Sequence, residues 1–280
     1  MKRIHIVGCG PRTGTTLLTE MMISSYDIDL YTDHEDRIAK CPPRKGRVFL
    51  TKSPKDIIVI EPILKKMTNL HVIYMLRDPR DMIVSMHGAN KERYYSNLKF
   101  WNNFMPFARK LKDHPRFLTL RYEDLVGKPD EVQARINEHL PFIDQKHKFS
   151  DYHRVSNPSS DSRLALGEVR PVSSKSIGNW RNHKERVLGQ IQQHGSISND
   201  LIEFGYETNT AWEKELEGLT PDLRDSHDSD FYKKSFIRHK LRFKHLRALR
   251  VWFYHTPFFL NILEFFYRMT NKSDSAVSRN

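Results

Sequence analysis

Residues 8–16 read Gly8-Cys9-Gly10-Pro11-Arg12-Thr13-Gly14-Thr15-Thr16, and everything else in the chain is arranged around this turn. Before it, Arg3 to Val7 is a short, apolar, β-branched run. After it, Thr15 to Ser25 carries Leu17, Leu18, Met21 and Met22 at helical spacing. A strand, a glycine-rich turn and a helix in that order aim free backbone N–H groups and the positive helix end at one point, where an anion binds. A glycine-rich corner can also be purely structural, but this context favours an anion site.

The same alternation continues outward. Val48 to Thr51 reads as a strand, Ile57 to Met67 as a helix, Val72 to Leu76 as a strand, Pro79 to about Met86 as a helix and Phe117 to Leu120 as a strand. Longer helices are expected over Tyr94 to Lys112 and over Pro129 to Leu140, the second opened by a proline in its first turn. Repeated βα units predict an α/β fold: a parallel β-sheet flanked by helices, with a P-loop-like phosphate-binding turn and a C-terminal helical extension. Residues 142–175 are polar and weakly periodic, so they read as a long surface loop able to close over a ligand. The expected organisation is a nucleotide-binding domain over 1–210, a basic, aromatic-rich helical extension over 211–270 and a disordered tail over 271–280.

The chain has 280 residues and a formal net charge of +12, which favours an anionic partner without choosing among nucleotide, acidic glycan, nucleic acid and membrane surface. Cys9 and Cys41 are too few for a disulfide framework, and the 14 histidines show no zinc-site spacing. Met1 to Ile6 already reads as strand and leaves no room for a secretory signal, so a cytoplasmic setting is expected, extending to the inner face of a membrane if the C-terminal region meets lipid.

The turn is not built for ATP. A nucleoside triphosphatase needs Gly-Lys-Ser/Thr at the helix start, whereas Gly14 is followed by Thr15 and Thr16 and the cation comes earlier, at Arg12. Arginine there suits one tetrahedral anion. A second anchor is Arg77-Asp78-Pro79-Arg80-Asp81, directly after a strand, with Ser85 further on. Alone it would read as a capped helix start; paired with the first turn, Arg77 and Ser85 are candidates for a second phosphate.

These two segments resemble the superfamily of sulfotransferases that use 3′-phosphoadenosine 5′-phosphosulfate (PAPS). Its Pro-Lys/Arg-Ser/Thr-Gly-Thr-Thr loop holds the 5′-phosphosulfate and its Arg-Asp-Pro-x-Asp/Glu…Ser segment holds the 3′-phosphate. The resemblance runs over roughly residues 1–205 and takes in Arg121-Tyr122-Glu123-Asp124-Leu125 and Gly178-Asn179-Trp180-Arg181-Asn182. It implies a nucleotide site of Pro11, Arg12, Thr13, Gly14, Thr15, Thr16, Arg77, Ser85, Tyr122, Ser173, Lys175, Trp180 and Arg181. Where the cytosolic branch has Arg-Lys-Gly, this chain has Ser173-Ser174-Lys175, which leaves open which of them meets the 3′-phosphate. Arg12 makes the loop look closer to the tyrosylprotein and carbohydrate branches than to the small-phenol branch.

Sulfuryl transfer needs in-line positioning, neutralisation of the leaving phosphate and a base for the acceptor hydroxyl. Arg12 and the amides of Thr13 to Thr16 suit the leaving group, and Lys52, at the end of its strand, is a second cation beside the turn. The base is sought in Asp33-His34-Glu35-Asp36-Arg37. Glu35 heads an element similar to the Glu-x-Arg of the tyrosylprotein branch, an ungapped count selects Asp33, and His34 is chemically competent. The cluster also reads as a solvated loop with local ion pairs, and Lys52 as a surface lysine. Trp180 is expected either to stack near the adenine or to pack in the core.

From Phe231 to Met269 basic residues alternate with aromatics, the composition of an interfacial helix, while Pro257 and flanking charges argue against a membrane span. Packing on the main domain or a homodimer contact suits the same residues. The resulting expectation is a PAPS-dependent sulfotransferase, with PAP as product and no metal, acting on a hydroxyl acceptor, a glycan first and a tyrosyl protein second. No nucleic-acid partner is expected. The reading from another class is an NTP-dependent kinase, which the missing loop lysine disfavours.

Overall fold

The computed structural model describes residues 1–32, 35–40, 45–86, 92–166, 169–227 and 241–255. Within them β1 (Lys2–Gly8), α1 (Thr15–Ser25), β2 (Leu30–Tyr31), β3 (Val48–Lys52), α2 (Ile57–Lys66), β4 (Leu70–Leu76), α3 (Pro79–Ile83), α4 (Leu98–Arg109) and β5 (Phe117–Arg121) follow one another. The strands form one parallel sheet in the order β2-β3-β1-β4-β5. After it come α5 (Tyr122–Gly127), α6 (Pro129–His139), α7 (Tyr152–Val155), α8 (Ser160–Leu166), α9 (Lys184–His194), α10 (Ser198–Glu203) and α11 (Lys244–His255).

Period-two alternation divides the core between the two faces of the sheet. Ile4, Ile6, Val48, Leu50, Ile73 and Met75 turn to the side covered by Leu18, Met21 and Met22 of α1 and by Val132 and Ile136 of α6. Val7, Val72, Tyr74 and Leu76 turn to the side covered by α2 and α4, where Ile57, Ile60, Ile63, Trp101 and Phe104 pack. Each such aliphatic side chain contributes roughly 1.5–3 kcal/mol by leaving water. Arg3 and His5 share the α2 face and are also fully buried, a polar inclusion that alternation does not foresee. The βα connections place the turn at Gly8–Gly14, the Lys52–Ser53 junction, Arg77–Asp78 and Tyr122 along the carboxyl edge of the sheet, where open α/β folds bind ligands.

The structure departs from the sequence reading in four places. The helix expected over Pro79 to Met86 ends at Ile83, because Tyr95 N–H donates to the Ser85 carbonyl (2.8 Å) and Met86 bridges to Tyr94. The bridge takes Tyr94 out of the helix and Asn97 is extended, so α4 begins only at Leu98 and ends at Arg109. The surface loop expected over 142–175 contains α7, α8 and two 3₁₀ turns, Phe149–Asp151 and Ser174–Ser176, and Phe149 and Tyr152 are buried against the α1 face. The start of the extension is integrated with the main core: Trp212 and Leu216 are buried in it, and the Asn97 amide donates to Ser226 Oγ (2.6 Å). Ala248 and Val251 of α11 pack on the core beside α2. Residues 256–280, expected as the rest of the extension and the tail, lie outside the described residues. Among the described residues no helix is long and apolar enough to cross a membrane.

Candidate active site

The turn after β1 packs closely on its surroundings. Gly14 has φ 85°, and a Cβ there would stand 2.4 Å from the Tyr122 ring, so only glycine fits. Arg12 has φ 67°, the only non-glycine residue among those described with a positive φ. The left-handed conformation costs an arginine about 1–2 kcal/mol. Arg77 holds it: Nη1 donates to the Arg12 carbonyl at 2.8 Å and Nη2 to the Ser176 carbonyl at 3.3 Å. Thr13 Oγ1 donates to the Gly10 carbonyl at 3.0 Å, closing the turn from within. No side chain caps the start of α1, so its first N–H groups are available to an external acceptor.

The left-handed backbone carries the Arg12 side chain across to the second anchor, where Nε donates to Ser85 Oγ at 2.9 Å. The guanidinium therefore joins Arg77 and Ser85, whereas the sequence placed it with the turn amides; only its backbone stays there. Arg77 also lies over the Tyr122 ring (4.3 Å), and the Tyr122 hydroxyl shares a hydrogen bond with Ser176 Oγ (2.9 Å). Burial first, and then the positive charge of Arg77, lower the Arg12 pKa. No carboxylate within salt-bridge distance pairs with either guanidinium among the described residues.

Lys52 leaves the sheet toward the other side of the turn, where Nζ donates to Thr16 Oγ1 at 2.9 Å. Its pKa is lowered by burial, which outweighs the opposing pull of the Glu35 and Glu20 carboxylates. Glu35 is fixed through its neighbour: Asp36 N–H donates to the Lys52 carbonyl at 2.8 Å. Asp33 and His34, the other candidate bases, lie outside the described residues.

Pro11, Arg12, Gly14, Thr15, Thr16, Glu35, Lys52, Arg77, Ser85, Tyr122, Ser173 and Lys175 all line one cleft of about 1170 Å³. That exceeds the ~300–1,000 Å³ of ordinary small-molecule pockets and leaves room for a nucleotide and part of an acceptor. Trp180 and Arg181, expected at the nucleotide, are not on this wall. Trp180 is 1 % exposed, stacked under Arg80 (4.3 Å) and edge-on to Trp212 (5.8 Å), and Arg181 turns to Glu215 (3.6 Å). The reason is Asp81, whose carboxylate accepts the N–H groups of Gly178 (2.7 Å) and Trp180 (2.9 Å) and turns that loop inward. Thr13 is 1 % exposed and its side chain serves the turn alone.

Sequence reading missed Tyr95, Tyr152, Arg170, Ser176 and Asn179 on the cleft wall. Ser176 adjoins Ser173-Ser174-Lys175 and Asn179 lies inside the Gly178 to Asn182 segment, though neither was named for the site; Tyr95 and Tyr152 sit in runs with no chemical pattern. Cys9 belongs to the turn but is fully buried, and burial pushes its thiol up to about 12.

Comparison with known proteins adds one family. The profile of the "Sulfotransferase family" matches residues 29–143. The match covers Glu35, Lys52, Arg77, Ser85 and Tyr122, begins after the Gly8–Thr16 turn, and spans less than half of the chain. Among solved structures, the chain is similar to the sulfotransferase domain from the curacin biosynthetic pathway, with 16% identity over 80% of this chain and 99% of that one and a TM-score of 0.43. It is also similar to retinol dehydratase in complex with androsterone and the inactive cofactor PAP, with 15% identity over 80% and 83% of the two chains and a TM-score of 0.37. No curated protein matches.

Proposed function

We propose that this chain is a PAPS-dependent sulfotransferase. The observation that carries the reading is the Arg12–Arg77 pair: Arg12 Nε donates to Ser85 Oγ and Arg77 Nη1 to the Arg12 carbonyl, so two guanidiniums line one cleft at the carboxyl edge of a parallel sheet with no carboxylate in salt-bridge distance of either among the described residues. Two like charges close enough to act on each other and partly withdrawn from water are costly unless an anion completes them. The uncapped start of α1 supplies a second anion position on the same cleft. Two separated phosphate sites suit a 3′,5′-bisphosphate nucleotide better than a triphosphate chain, and the family match supports the same choice.

On this reading Arg12, Arg77 and Ser85 hold the 3′-phosphate, and the amides of Thr15 and Thr16 hold the 5′-phosphate. PAPS supplies the sulfuryl group. Glu35 takes the proton of the acceptor hydroxyl as its oxygen bonds to sulfur; the bond from sulfur to the 5′-phosphate oxygen breaks, and Lys52 neutralises the charge left on that oxygen. The acceptor we favour is a glycan hydroxyl, because the strongly basic chain, with a net charge of +12, suits an acidic polysaccharide.

Calorimetric titration with adenosine 3′,5′-bisphosphate, with magnesium-ATP as the competitor, tests the reading. Metal-independent binding that Arg77→Ala weakens by about 10–100-fold is expected. Preference for magnesium-ATP would replace the sulfotransferase with a kinase.

A further inference from the structure

The α2 face of the sheet carries a buried polar cluster that anion binding does not use. Arg3 and His5 of β1 are fully buried, Thr51 of β3 lies beside His5 in the strand register, and Asp56 ends the 3₁₀ turn before α2 at 2 % exposure. His5 Nδ1 and Thr51 Oγ1 share a hydrogen bond at 2.8 Å, and His5 Nε2 faces Asp56 Oδ2 at 3.5 Å. Arg3 Nη2 donates to Thr51 Oγ1 at 3.4 Å, and its guanidinium lies over the Phe49 ring (5.1 Å).

Two outward bonds of this cluster reach one segment. Asp56 Oδ2 accepts the Ile38 N–H at 2.6 Å, and Arg3 Nη1 donates to the Lys40 carbonyl at 3.1 Å. Together with the bond from Asp36 N–H to the Lys52 carbonyl, these tie residues 36, 38 and 40 in turn to β3, to the 3₁₀ turn and to β1. Glu35 is the residue immediately before the first tie, and Lys52, whose carbonyl receives that tie, is the cation on Thr16. Charged and polar side chains are rarely buried without a structural return. Here the return is the fixed placement of a short, irregular segment with no secondary structure of its own.

We propose that Asp56, supported by His5 and Arg3, is a positioning residue that sets Glu35 in register with Lys52; its functional consequence rests on the sulfotransferase reading. Asp56 is not among the residues that line the cleft, so its loss is expected to act on the Glu35 segment and to leave the anion sites alone.

The test compares the full-length protein with Asp56→Ala and Asp56→Asn. Amide hydrogen exchange over residues 35–40 is expected to rise about tenfold or more in Asp56→Ala, while Asp56→Asn, which keeps an acceptor for the Ile38 N–H, restores most of the protection. Affinity for adenosine 3′,5′-bisphosphate is expected to stay within about twofold in both. Release of that bisphosphate from PAPS, with water attacking sulfur and giving sulfate, is expected to fall in kcat for Asp56→Ala with KM for PAPS unchanged. Unchanged exchange over 35–40, no rescue by asparagine, or parallel loss of bisphosphate affinity would each overturn the proposal. If the wild type binds no bisphosphate, the sulfotransferase reading fails by itself, and the exchange comparison still decides whether Asp56 holds the segment.

Discussion

Lys52 Nζ stands 2.9 Å from Thr16 Oγ1, so the cation that a nucleoside triphosphatase carries inside its glycine-rich loop is delivered here from the neighbouring strand. Register explains how. Lys52 pairs with Ile6 of β1 and therefore leaves the sheet on the α1 side, directly beneath the first turn of that helix.

Replacing Lys52 by methionine is expected to lower PAPS turnover by about 10²–10³-fold, the usual cost of removing a preorganised charge stabiliser. Burial lowers the Lys52 pKa, so the ammonium loses its proton at lower pH than an exposed lysine. The alkaline limb of the turnover profile should therefore lie low and move upward in Lys52→Arg. The buried charge costs stability below the folded-state pKa, and this cost disappears as pH rises through it. A methionine variant within threefold of wild type would rule Lys52 out.

Arg77→Ala is expected to weaken adenosine 3′,5′-bisphosphate binding by about 10–100-fold, the range of a charge-assisted contact. Arg77→Lys should recover little, because two guanidinium nitrogens bond two different carbonyls, at 2.8 and 3.3 Å. Calorimetry in low and high salt separates this loss from general screening.

Gly14→Ala combines a left-handed φ with a Cβ 2.4 Å from the Tyr122 ring. A loss of at least ~1 kcal/mol of stability is expected, with bisphosphate affinity falling as the turn shifts. Denaturant unfolding measures the first and calorimetry the second; unchanged values for both would mean that the turn can reshape freely.

Asp81 accepts the Gly178 and Trp180 N–H groups from a buried position. Asp81→Ala orphans both, at ~1–3 kcal/mol each, and should loosen the loop that carries Ser176 and Asn179 on the cleft wall. Burial, reinforced by the charge of Asp78, raises the Asp81 pKa. Charged Asp81 therefore costs stability above its folded-state pKa, and protonation relieves that cost as pH falls through it. Thermal unfolding of wild type and Asp81→Ala across pH 4–8 checks both statements (~4–8 brackets the raised carboxyl and neutrality).

The sequence by itself determined the parallel sheet and the placement of the Gly8–Thr16 turn and Arg77 at its carboxyl edge. Strand periodicity, glycine at the turn and Arg77 directly after β4 are local signals, written in consecutive residues. Lys52 was legible for the same reason, as the last residue of a strand whose edge is common to the other anchors.

Only the tertiary structure decided how those pieces meet. That Arg12 reaches Ser85 depends on a left-handed backbone at a non-glycine residue, which no propensity announces. Trp180 belongs to the core because Asp81, far away in the chain, captures its loop. Arg3, His5, Thr51 and Asp56 are unremarkable letters in three segments, and they become one buried cluster only when the register of β1 and β3 and the 3₁₀ turn bring them together. Local chemistry is encoded along the chain, whereas the pairing of distant polar groups is set by burial, which the whole fold must create first.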